Sequence, residues 1–272
     1  MPLFAIPFPV FDPVLVSIGP LSIRWYALAY IGGLLIGNWL CMRIATTPAL
    51  WGHRSPPSPA LIDDMLLYAA LGVVLGGRLG YVLFYNLDYF IAHPDHILSV
   101  WQGGMSFHGG LAGCAFGLYL SCRRHNTQPA ALFDVAAVVA PLGLFLGRVA
   151  NFINGELWGR PSDVDWAMIF PHAGPLPRHP SQLYEAGLEG IVLGLCLLWV
   201  VRQGGLQRPW LLSGLFGCGY GLARIGAEFF REPDPQLGYL FGGATMGMLL
   251  SVPLILIGVA LIITARAKRT QS

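Results

Sequence analysis

Apolar runs of about 20 residues recur along most of this chain, and they constrain its fold more than any motif does. As a helix, such a run advances about 1.5 Å per residue and spans the roughly 30 Å of hydrocarbon in a bilayer. Of the 272 residues, 55% are hydrophobic and only 11% are charged; soluble domains carry roughly 25% charged residues. Inside lipid, backbone polar groups must be satisfied within the segment, so runs this long read as helices. The chain is therefore expected to be all-α, a polytopic integral membrane protein with about seven transmembrane helices. The spans fall near 21–43, 61–84, 104–122, 131–152, 186–202, 210–229 and 240–264. Residues 1–272 read as a single membrane domain. Within it, the stretch 153–185, rich in Pro, Gly and aromatics, reads as a small outer (periplasmic) cap rather than a flexible linker.

The charges give an orientation. With the N-terminus outside, the inner loops and tail hold Arg43, Arg54, Arg123, Arg124, Arg202, Arg208, Arg266, Lys268 and Arg269. The other seven of the sixteen basic residues are Arg24, Arg78, Arg148, Arg160, Arg178, Arg224 and Arg231. The positive-inside rule then favours N-out, C-in. Several of these seven lie in or against apolar spans, where a charge costs a few kcal/mol and usually faces a polar cavity. Lys and Arg never exceed two in a row, too sparse for a nucleic-acid surface. The five cysteines lie in or beside apolar runs without metal spacing, so no disulfide framework or cysteine metal site is expected; no site for a metal or organic cofactor is visible elsewhere, and none is expected. No basic segment precedes the first apolar stretch, so insertion is expected through the first transmembrane helix itself.

Three polar clusters stand out. In GRVANFINGELWGRP, Arg148 and Asn151 share a helix face at the outer end of span four, and Asn154, Glu156 and Gly159 follow. In YGLARIGAEFFREPD, Tyr220, Arg224, Glu228 and Arg231 are expected to form one stripe of a single helix. By helical rise, Arg224 and Arg148 lie roughly 21 and 26 Å up their helices, at similar outer depth. In WQGGMSFHGGLAG, glycines bracket His108, whose imidazole can exchange protons near neutral pH. Tyr26, beside Arg24 and Trp25 at the start of span one, and Arg78, near the outer end of span two, add to these. A guanidinium binds phosphate in a fork and stays protonated. Arginines gathered at this depth therefore point to an anionic phospholipid headgroup, and by themselves they say neither which bond is broken nor whether any is. A phospholipid or anionic-solute transporter or binding protein would use the same arginines, but no related halves with broken helices are visible.

GRVANFINGELWG, GGMSFHGG, IRWYALAY, RHPSQLYE and YGLARIGAEFFREPD together resemble the prolipoprotein diacylglyceryl transferase family, from about Tyr26 to Asp234. The resemblance implies a bacterial inner-membrane enzyme. Such an enzyme moves diacylglyceryl from phosphatidylglycerol to the lipobox cysteine of a preprolipoprotein, forming a thioether and releasing glycerol 1-phosphate. It also implies that Arg148 and Arg224 bind the phosphate, and that His108 and Tyr26 matter to activity. Asn151, Glu156, Gly159, Glu228 and Arg231 match the family's site lining, and Asn154, Tyr220 and Arg78, read from the polar residues themselves, are expected to line the substrate site with them. Its partners are phosphatidylglycerol and the signal peptide with its lipobox cysteine. On chemical grounds His108 is the candidate base, because a free thiol, with pKa about 8.5, is mostly protonated at neutral pH.

Overall fold

The structure, a computed structural model, describes residues 6–9, 14–18, 21–84, 86–99, 104–233 and 238–267. Its long helices are α1 (Trp25–Ala45), α2 (Pro59–Phe84), α4 (Phe107–Arg124), α5 (Pro129–Ile153), α8 (Leu211–Glu228) and α9 (Met246–Ala267). A seventh runs from α6 (Ser181–Glu185) through a π-helical stretch, Ala186–Val192, into α7 (Leu193–Arg202). Short α3 (Leu87–Ala92) joins α2 to α4. Among the described residues, five helices are long and apolar enough to cross a membrane. The 18-residue α4 and α8 are less apolar, but about 27 Å long by the same helical rise.

Glycine decides how closely some of these helices pack. Gly72, Gly76 and Gly80 of α2 face Gly109 and Gly113 of α4, and Gly117 lies against the Tyr68 carbonyl. A Cβ at Gly80 would stand 2.8 Å from the Gly109 Cα, and one at Gly113 would meet the carbonyl of Gly72. Small residues let backbones approach where lipid gives no hydrophobic drive for association. Gly214 and Gly258 play the same part between α8 and α9, each 2.7 Å from the other's carbonyl oxygen by the same measure.

One end of the bundle is locked by Asp134, at the start of α5 and fully buried. Its carboxylate accepts from Arg54 Nη1 (2.9 Å), the Trp210 amide (2.9 Å) and both the amide (3.0 Å) and hydroxyl (2.8 Å) of Ser213. The amide bonds cap the first turn of α8 from another helix, satisfying donors that a helix start leaves open. Arg54 also donates to the Leu206 carbonyl at 2.7 Å. On α2, Asp64 lies 2.8 Å from His125 Nε2 at the end of α4.

At the opposite end, residues 154–180 fold back over the helices. β4 (Met168–Ile169) pairs in parallel with β1 (Ile6–Pro7), and Phe8 packs its ring against Phe152 and Phe170. Two expectations change here. Residues 21–24 do not open the first span: β3 (Leu21–Arg24) pairs antiparallel with β2 (Val14–Ile18), because Leu-Ser-Ile-Arg alternates with the period of a strand. Nor does one helix carry the whole stripe from Tyr220 to Arg231. The helix stops at Glu228, and Arg231 lies beyond it in a β-bridge with Gly159.

Candidate active site

The ends of α5 and α8 and the start of α6 meet at the end where residues 154–180 lie. Arg148 comes from the last turns of α5, Arg224 from α8, and Arg231 from the segment after it. All three turn towards Glu185, the last residue of α6, whose side chain is 1% exposed. Arg148 Nε lies 2.6 Å from Glu185 Oε2, Arg224 Nη1 3.0 Å from the same oxygen, and Arg231 Nη1 3.5 Å from Oε1. Glu189, four residues further along the chain and fully buried, is 3.6 Å from Arg148 Nη2 and 3.9 Å from Arg224 Nη1. Glu228 pairs with Arg224 on its own helix. Gly247, at the start of α9, leaves room for that pair: a Cβ there would collide with the Glu228 carboxylate.

Three arginines and three glutamates thus form one largely buried cluster, the side chains of Arg148 and Arg224 being 16% and 13% exposed. Burying so many charges requires that they answer one another, since an unpaired buried ion costs several kcal/mol. The ring of Tyr220 stacks on Phe216, and its phenol is within electrostatic range of Glu189, Arg224, Arg148 and Glu185.

Next to this cluster, the turn after α5 presents a second polar group. Asn151 Nδ2 donates to Glu156 Oε1 at 2.8 Å, and Asn154 Nδ2 to the same oxygen at 3.4 Å. The turn is tight enough to put Leu157 at φ +58°, a region that side chains other than glycine rarely adopt. It is held from α6, where Ser181 Oγ donates to the Leu157 carbonyl (3.0 Å) and Gln182 Nε2 to the Glu156 carbonyl (2.6 Å). Arg160 ties the turn to the end of α8 and the segment after it through the carbonyls of Glu228 (3.0 Å) and Arg231 (2.8 Å). Nearby, Tyr184 accepts from Trp166 Nε1 at 2.6 Å, which leaves its own proton for His179 Nδ1 at 3.1 Å. Burial lowers the pKa of that imidazole below the ordinary histidine value, because it disfavours the cation.

A family model, prolipoprotein diacylglyceryl transferase, matches residues 13–264. The chain is 60% identical over 275 residues to the phosphatidylglycerol–prolipoprotein diacylglyceryl transferase of Beijerinckia indica, covering 100% of both chains. It is 61% identical over 259 residues to that of Methylocella silvestris, covering 95% of each. Against that of Rhodopseudomonas palustris it is 59% identical over 267 residues, or 97% of this chain and 93% of the relative. The chain belongs to the prolipoprotein diacylglyceryl transferase family. It is a transferase, with the predominantly helical, membrane-embedded architecture that its apolar runs require.

Among the expected site residues, the transferase brings Arg148, Arg224, Glu228 and Arg231 into one cluster, with Tyr220 beside it and Asn151, Asn154 and Glu156 on the adjoining turn. The side chains of Tyr26 and His108 lie outside the described residues; their backbones open α1 and α4. Two other expected residues sit in structural positions. Arg78 donates to the carbonyls of Ile97 (2.7 Å), His96 (2.6 Å) and Gly104 (3.2 Å), and lies over the Phe90 ring. Gly159 lies where a Cβ would come within 2.6 Å of His179 and 2.5 Å of the Phe230 carbonyl oxygen, so it permits the two segments to touch.

The residues that sequence reasoning passed over are Glu185 and Glu189. The signal was present, because carboxylates four apart inside an apolar run are as costly as buried arginines and need partners just as much. Gln182, one turn before Glu185 on α6, belongs with them.

Proposed function

We propose that this transferase moves the diacylglyceryl group of phosphatidylglycerol onto the thiol of a preprolipoprotein's lipobox cysteine, with glycerol 1-phosphate leaving. The observation that carries the reading is the convergence of Arg148 and Arg224, from separate helices, on one buried anionic position in a chain of this family. The relatives' names specify both phosphatidylglycerol and a prolipoprotein. In the reaction, the sulfur attacks the glyceryl carbon that bears the phosphate ester. A C–S bond forms, the C–O bond breaks, and the thiol proton passes to a base. The charge that develops on the departing phosphate oxygen is what two forked guanidinium groups stabilise.

His108 is proposed as that base and Tyr26 as a second contributor at the start of α1. Asn151, Asn154 and Glu156 form the polar wall beside the arginines. A His108→Gln enzyme is expected to lose at least ~10²-fold in turnover, the lower range for general acid–base catalysis. Near-full turnover, with melting temperature unchanged, would remove His108 from the chemistry. Seven membrane spans, an extracytoplasmic N-terminus and a cytoplasmic C-terminus complete the proposal for a bacterial inner membrane. They place residues 153–185 as a periplasmic cap and the cluster near the outer leaflet.

The lipid's tails also need a place. An apolar crevice of about 380 Å³ runs between α1, α2, α4 and α5, lined among others by Ala29, Gly33, Asn38, Ala136, Gly143 and Gly147. Its upper end, at Gly147, adjoins Arg148, and from there to Ala136 it follows about 17 Å of helix. We assign it to one acyl chain of the donor. A Cβ at Gly143 would touch nothing within 4 Å, so the backbone there accepts a side chain, and Gly143→Leu is the variant that places one in the crevice. For long-chain phosphatidylglycerol KM is expected to rise ~10-fold, the equivalent of about two lost methylene burials, while dihexanoyl phosphatidylglycerol is unaffected. Equal effects on both donors would place the chain elsewhere.

The reaction itself is tested with purified protein in detergent, phosphatidylglycerol labelled in its diacylglycerol moiety and a lipobox peptide. Label in a thioether on the cysteine, dependent on the lipid, is the expected result. A folded protein that binds the lipid and forms no thioether would reduce the reading to binding.

A further inference from the structure

Glu185 stands where an incoming anion would have to stand. Three guanidinium groups crowd around its two oxygens, at 2.6, 3.0 and 3.5 Å. Yet neither oxygen accepts a well-aligned hydrogen bond, nor does either oxygen of Glu189, and Arg224 Nη1 likewise lacks an aligned acceptor. The cluster is therefore held together by charge more than by directed bonds, and it is formally neutral, with Arg148, Arg224 and Arg231 against Glu185, Glu189 and Glu228. A phosphate approaching such a set meets no uncompensated positive charge.

We infer that Glu185 is a placeholder for the phosphate: it occupies the arginine fork in the resting enzyme and gives up Arg148 and Arg224 to the headgroup in each turnover. This rests on the phosphatidylglycerol reading above. Carboxylate and phosphate are both anionic partners of guanidinium, so replacing one by the other never leaves a buried cation alone, the state that costs most. Glu189 and Glu228 continue to hold the arginines in the meantime, Glu189 from a longer distance. The π-helical stretch Ala186–Val192 begins immediately after Glu185. Wide turns of this kind are unusual in helices and frequent at functional sites, and this one lies directly behind the carboxylate. When glycerol 1-phosphate leaves, Glu185 returns and helps to expel it. Glu185 is thus a positioning residue that competes with substrate and product for the same donors.

The competition has a kinetic signature that simple structural support does not have. Glu185→Gln keeps the shape and removes the charge that competes. Inhibition by glycerol 1-phosphate is expected to tighten ~10-fold and KM for phosphatidylglycerol to fall, while kcat also falls ~10-fold because product is retained. If Glu185 only braced the arginines, the variant would bind glycerol 1-phosphate more weakly and raise KM. That result, or unchanged inhibition, would overturn the inference. Should the glutamine variant not fold, Glu185→Asp carries the test, since its shorter carboxylate reaches the fork less well and should also tighten inhibition; unchanged or weaker inhibition overturns the inference. A separate outcome addresses the underlying reading: wild-type enzyme that glycerol 1-phosphate does not inhibit at all would remove the phosphate site itself.

Discussion

Transfer from phosphatidylglycerol to a lipobox peptide is expected to fall at least ~10²-fold in Arg148→Ala, the usual loss when one stabilising donor is removed from a transition state. Arg148 lies 2.6 Å from Glu185 and 3.6 Å from Glu189, so its removal also leaves those buried carboxylates short of a cation. Breaking a buried pair from one side costs about 3–5 kcal/mol, and a lower melting temperature is expected alongside the lost activity. Arg148→Lys separates the two effects. Lysine keeps the charge that the carboxylates need, but presents a point charge in place of a planar fork. Its melting temperature should approach wild type while transfer stays at least ~10-fold down. An Arg148→Lys enzyme with full activity would mean that the fork geometry is not used on the phosphate, and the site would have to be rebuilt around Arg224.

The membrane helices were legible because their signal is long. Expected spans at 61–84 and 131–152 correspond to the membrane-length helices Pro59–Phe84 and Pro129–Ile153, and the expected span 210–229 falls on the less apolar helix Leu211–Glu228, with ends that differ by two residues or fewer. Where the apolar signal gives way to polar residues, the reading slipped. The fifth span was expected from 186, yet its helix begins at Ser181, directly after Pro180; Ser181, Gln182 and Glu185 are polar and are buried by the fold rather than by lipid. The last span was expected from 240, but 241–243 form a 3-10 turn and the helix starts at Met246. For the site, Arg148 and Arg224 could be placed at similar depth by helical rise alone. That they share a carboxylate could not, because Glu185 reaches them through the packing of α6 between α5 and α8, a tertiary fact. Arg78 shows the converse: its position near a span end fits a headgroup ligand, but the carbonyls it serves lie 18 to 26 residues later in the chain.

The seam between α2 and α4 should be the least tolerant place in the bundle, and Gly113→Val tests it. The new Cβ would fall on the Gly72 carbonyl, 2.9 Å from the Gly72 carbonyl carbon and 2.9 Å from the Gly76 Cα. All of these are backbone atoms, so no side chain can turn aside and the two helices must part. Overpacking of a tight core typically costs 1–3 kcal/mol, and about 3 kcal/mol is expected here, a fall on the order of 10 °C in melting temperature. Activity should fall with it, for a reason that lies little more than one turn away on the same helix. The start of α4, which carries His108, is tied to α2 by the Ser106 amide, which donates to the Gly77 carbonyl at 2.8 Å, while Ser106 Oγ caps the Gly109 amide of α4 itself at 3.2 Å. Parting the helices at Gly113 shifts that start relative to the arginines of α5 and α8. Gly143→Ala is the matched control, since its Cβ meets nothing within 4 Å and should leave the melting temperature near wild type. If Gly113→Val melts like Gly143→Ala, then α2 and α4 do not approach as closely as their glycines allow, and the position of His108 must be fixed by something other than this seam.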